Sequence, residues 1–124
     1  MKRIVSLLVM LMILSSFSAI SQTTIINALK SGNATELSKY FDKTVEINFP
    51  DKSNSYSKRQ GELVLRDFFS NNPVRDLDII HKSEAAASQY FIANLTTSTG
   101  KFRITVFLKQ KTDQLYIQEL RFEK

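Results

Sequence analysis

The chain has 124 residues and a formal net charge of +5, with seventeen Lys and Arg against twelve Asp and Glu. It holds one histidine and no cysteine, which excludes disulfide stapling and an anchor built on an acylated cysteine. Lys2 and Arg3 supply two of the net positive charges. The remaining basic residues are scattered among the acids without a block, so nucleic acid is not an expected partner.

Residues 1–21 read as a secretory signal peptide. Lys2 and Arg3 open it, Ile4–Leu14 is apolar except for Ser6, and small residues follow, with Ala19 and Ser21 at the −3 and −1 positions of a cleavage site. The apolar run is shorter than the roughly 20 residues that cross a bilayer. The expected mature chain is therefore one exported domain over residues 22–124, periplasmic or secreted, and free of the membrane once cleaved.

Thr23–Ser31 has an apolar stripe of Ile25, Ile26 and Leu29, caps available at Thr23 or Thr24, and Gly32 to stop it. Asn33-Ala34-Thr35-Glu36 is a capping box for a second short helix running to about Phe41. Thr44–Phe49 alternates as a strand, Pro50–Asn54 reads as a loop, and Ser55–Ser57 as a brief second strand. Ser57-Lys58-Arg59-Gln60 caps the longest helix, which carries Gly61, Val64, Leu65, Phe68 and Phe69 on one stripe before Pro73 ends it. Glycine within an apolar stripe predicts a close approach there.

Val74–Lys82 is the next strand, with Leu77, Ile79 and His81 on one face and Asp76, Asp78 and Ile80 on the other. A meander of Gln89–Thr97, Lys101–Lys111 and Leu115–Glu123 follows, turning at Thr99-Gly100 and at Thr112-Asp113-Gln114. Setting Ser98 opposite Lys101 pairs Leu95 with Ile104, Ala93 with Val106 and Phe91 with Leu108, which gives one apolar face. The other face gathers Tyr90, Ile92, Phe107 and Ile117. Arg103, Glu119 and Arg121 form its rim, as a cross-strand charge network contributing about 0.2–1 kcal/mol per pair.

Helix, helix, strand, short strand, long helix and four strands is an order similar to the nuclear transport factor 2-like (cystatin-like) cone, an α+β fold with a curved antiparallel sheet wrapped around N-terminal helices. The local text resembles a family of small exported bacterial proteins of unknown function. The resemblance rests on Tyr56-Ser57-Lys58 with Gln60, Leu65-Arg66-Asp67-Phe68-Phe69, Ile79-Ile80-His81-Lys82, Gly100-Lys101-Phe102-Arg103 and Gln118-Glu119-Leu120-Arg121-Phe122-Glu123. It covers the whole mature chain. Gly61 and Leu77 depart from the family's pattern, which has alanine and an aromatic there.

No nucleophile elbow, phosphate loop or acid cluster with metal spacing is present, so no cofactor and no metal is expected. The favoured reading is a non-enzymatic module. It would bind a small apolar ligand at the cone mouth, with His81, Phe91 and Tyr56 as contacts, or a second copy or partner protein on the sheet face. The alternative is a small hydrolase, isomerase or dehydratase with His81 as acid or base. That reading lacks an oriented carboxylate, since Asp76 and Asp78 fall on the other face of their strand.

Overall fold

A computed structural model describes residues 21–84 and 86–124. The signal-peptide reading lies, but for Ser21, outside the described residues. Helix α1 spans Gln22–Lys30, with Ser21 rather than a threonine at its N-cap. Its C-terminus closes in a Schellman motif. Gly32 takes a φ of 64°, its N–H donates to the Leu29 carbonyl, and the Asn33 N–H donates to that of Ala28.

The Asn33 side chain then accepts from the Glu36 N–H and starts α2, Ala34–Ser38. This helix ends earlier than the sequence predicts. Phe41 belongs to the first strand, and the Tyr40 carbonyl accepts from the Ile117 N–H at 2.7 Å. Pairing with the last strand thus takes over where helical hydrogen bonding stops.

Strands β1 (Phe41–Phe49) and β2 (Lys52–Ser57) form a hairpin across Pro50-Asp51. Most of the expected loop is therefore strand. Helix α3, Lys58–Asn71, begins where expected, its Ser57 hydroxyl accepting from the Gln60 N–H at 3.3 Å. Strands β3 (Val74–Ser83), β4 (Ser88–Thr97), β5 (Gly100–Gln110) and β6 (Leu115–Glu123) complete one six-stranded sheet in the order β2-β1-β6-β5-β4-β3. Every pairing is antiparallel except β1 with β6, which is parallel.

The helices cover one face of the sheet. Leu65 and Phe69 of α3, Ile25 and Leu29 of α1 and Leu37 of α2 are buried there, together with Val45, Ile47, Phe91, Leu95, Ile104, Val106 and Phe122. Phe68 spans helix and sheet, its ring centroid 4.7 Å from that of Phe122 and 5.2 Å from that of Phe49.

The β4–β5 register differs from the expected one by two residues: Thr97 pairs with Gly100, Leu95 with Phe102, Ala93 with Ile104 and Phe91 with Val106. The tight loop is Ser98-Thr99, and Gly100 takes the positive φ, 148°. A slip of two leaves every side chain on its predicted face, because the strand period is two.

Two of the single-residue irregularities move expected site residues to the other face. In β3 the register shifts between Ile79, opposite Ala93, and His81, opposite Ile92. His81 therefore lies on the outer face beside Tyr90, with ring centroids 5.6 Å apart, and is exposed. In β6 the register shifts between Ile117, opposite Leu108, and Glu119, opposite Phe107. Ile117 thus points inward and is 0% exposed. An inserted residue reverses the alternation beyond it, which is the physical reason for both corrections.

Candidate functional site

The three expected cone-mouth contacts do not converge on a cavity. His81 is on the outer face, Phe91 is 0% exposed inside the core, and Tyr56 packs against that core from β2. A concavity lies at another place, where the C-terminal half of α3 meets the β1–β2 turn and the start of β5.

Helical spacing puts Leu63, Val64, Asp67, Phe68 and Asn71 along one side of this groove. Phe49 to Lys52, Phe102 and Lys124 supply the other side of an open groove of about 690 Å³. The Phe68 ring meets Phe102 edge-on at 5.4 Å, so the floor is phenyl. Asn72 braces the end of the groove, donating from Nδ2 to the Phe68 carbonyl at 2.9 Å and accepting from the Thr99 hydroxyl.

Asp51, Asp67, Lys52 and Lys124 stand around its rim, and none of them forms an ion pair among the described residues. Lys52 Nζ lies 5.8 Å from the Phe49 ring centroid and Lys124 Nζ 5.6 Å from that of Phe102. The sequence reading missed this groove, although it held a signal. Phe49 ends β1 and Phe102 lies two residues into β5, each beside a polar turn, where a core residue would be expected further in.

The outer sheet face is the second candidate. Tyr90 pairs with Phe107, their ring centroids 6.4 Å apart, and the Arg121 guanidinium carbon lies 5.1 Å from the Phe107 centroid. Tyr90, Ile92 and Phe107 are half-buried, and the helices pack on the opposite face. Glu119 accepts from Arg121 at 2.8 Å and from Asn48 Nδ2 at 3.1 Å. Arg103 is not part of that network. It faces Glu123 and Asn94 across the strands and forms no ion pair among the described residues.

Beside Phe107 a hollow is lined by Asp42, Glu46 and Glu119 among others. Lys111, hydrogen-bonded to Asp42, holds that carboxyl below its ordinary value, helped by the Lys43 N–H and Gln118 and opposed by partial burial. Among the described residues no cluster of His, Asp and Glu has the geometry to hold a metal ion, and no helix is long and apolar enough to cross a membrane.

The sequence pattern of the family described as a domain of unknown function, DUF4783, matches residues 22–123. The chain belongs to the DUF4783 family. The crystal structure of a DUF4783 family protein from Bacteroides ovatus is similar with a TM-score of 0.77 at 32% identity, over 82% of this chain and 92% of that one. Another, from Bacteroides uniformis, gives 0.79 at 31%, over 82% and 94%. A designed protein with a nuclear transport factor 2-like fold is only 8% identical, yet gives 0.64 over 81% of this chain and 90% of its own. That likeness concerns the fold alone, and it agrees with the cone the order of elements implies. No curated protein matches the chain.

Proposed function

We propose that this DUF4783 domain is an exported, non-enzymatic association module whose outer sheet face docks a second copy of itself. The observation that carries the reading is the uncovered row of Tyr90, Ile92 and Phe107 on the face opposite the helices. Large apolar side chains grouped on a surface mark association sites more often than they decorate monomers.

The occupant is argued from charge. The same face carries a basic column on β5, with Lys101, Arg103 and Lys109 in line with Phe107, and an acidic group of Asp42, Glu46 and Glu119 on β1 and β6. A two-fold interface brings a surface against itself, so a face bearing both signs can pair each with the other. Arg121 and Glu119, already joined, stand at the edge of the apolar row.

His81 lines neither the phenyl groove nor the acidic hollow. An acid–base role would need it to face a bound substrate together with an oriented partner.

Sedimentation velocity of the residue 22–124 chain, beside Phe107→Glu, tests the reading. The expected result is a wild-type dimer at high micromolar concentration, weakened by salt, and a folded monomeric variant. A wild type that stays monomeric overturns the homodimer. The same face would then have to serve a different protein.

A further inference from the structure

The groove at the end of α3 is carried by different residues and stands independently of the sheet face. We propose that it is a binding site for an uncharged, largely apolar small molecule. Its volume, about 690 Å³, falls within the roughly 300–1,000 Å³ usual for small-molecule sites. Leu63 is 48% exposed on its wall, on a helix whose Leu65 and Phe69 are buried against the sheet. With the rings of Phe68 and Phe102 beneath it, the groove offers an apolar bed that water alone would cover poorly.

The charge of the occupant follows from the rim. It carries two carboxylates, Asp51 and Asp67, and two ammonium groups, Lys52 and Lys124. Both ammonium groups lie over rings of the groove, where the quadrupole of the phenyl face holds them. The four side-chain charges cancel, and neither an anionic nor a cationic head group finds a rim of one opposite sign. A charged head would also lose hydration against the phenyl floor without a dedicated partner. An uncharged molecule avoids that cost, and a single hydroxyl or carbonyl on it can still bond to the exposed Asn71 amide or to a rim lysine.

Three ten-carbon probes, 1-decanol, decanoate and decylammonium, separate the cases when titrated into the residue 22–124 chain and followed by amide chemical shifts. Decanol should bind most tightly of the three and shift the amides of Leu63, Phe68 and Asn71. Its affinity should change by less than about twofold between low and high salt. Leu63→Glu, an exposed change that leaves the core intact, should weaken decanol by about tenfold or more. Tighter binding of either charged probe overturns the proposal. So does decanol binding that Leu63→Glu leaves unchanged, and so does a failure of all three to bind up to their solubility limits.

Discussion

Val45 packs against the backbone of Gly61 so closely that a Cβ on the glycine would stand 2.7 Å from its Cγ1, with the Phe41 ring 3.1 Å away. The close approach that the apolar stripe implied is therefore made by two β1 side chains reaching α3. In a free helix Gly61→Ala would add about 1 kcal/mol of stability. Here the inserted methyl overpacks the contact, and the expected net outcome is a loss of about 1–2 kcal/mol in urea unfolding. Adding Val45→Ala should recover part of that loss. A stabilised Gly61→Ala would mean that α3 moves off the sheet freely.

Asp42 gives the fold an acid-sensitive contact. The hydrogen bond from Lys111 holds its carboxyl below the ordinary aspartate value. A carboxyl depressed in the folded state stabilises above its unfolded value, and that contribution is lost as pH falls through the folded one. Urea midpoints should therefore drop below about pH 4 more steeply for the wild type than for Asp42→Asn. Equal slopes would show that the Lys111 contact does not form in solution.

An inward residue of β6 and an outward residue of β5 should respond differently to truncation. Ile117→Ala leaves a hole in the core and should cost about 2–4 kcal/mol. Arg103→Ala, which removes no ion pair, should shift stability by less than about 0.5 kcal/mol. Thermal melts of the two variants check this, and a small loss for Ile117→Ala would mean that the register of β6 is wrong.

The exported form should begin at Gln22, which is also where the family pattern begins. Its side chain is 2% exposed and donates from Nε2 to the Ser83 carbonyl at 2.9 Å and to Gln89 Oε1 at 3.1 Å. Intact mass of the protein recovered from the cell envelope or medium measures this, and retention of Met1 there would refute the export.

Which face each strand buries was legible in the sequence, because alternation survives errors of two residues. Leu95, Ala93 and Phe91 point inward as alternation predicts, although each pairs two residues away from the expected partner. Single-residue bulges are invisible to that logic. The bulge at Ile80 is one, and it turns His81 to the face opposite the one that plain alternation predicts. The bulge in β6 did leave a trace, since its buried residues fall at Leu115 and Ile117 and then at Leu120 and Phe122, an alternation that skips a step. The phenyl groove was harder to read, because it is assembled from four element ends that meet only in three dimensions.

The parallel pairing of β1 with β6 ties the chain's first strand to its last. Glu46 sits beside Glu119 and Ile47 beside Leu120, so the sheet is joined through a contact that spans most of the sequence. Such long closures slow folding, because the entropy of the intervening loop is lost before the contact returns anything. A ribosome or translocation channel releases the N-terminal end first. The edge of β1 that pairs with β6 therefore stays open until the final strand emerges, and an unpaired edge of that kind favours aggregation.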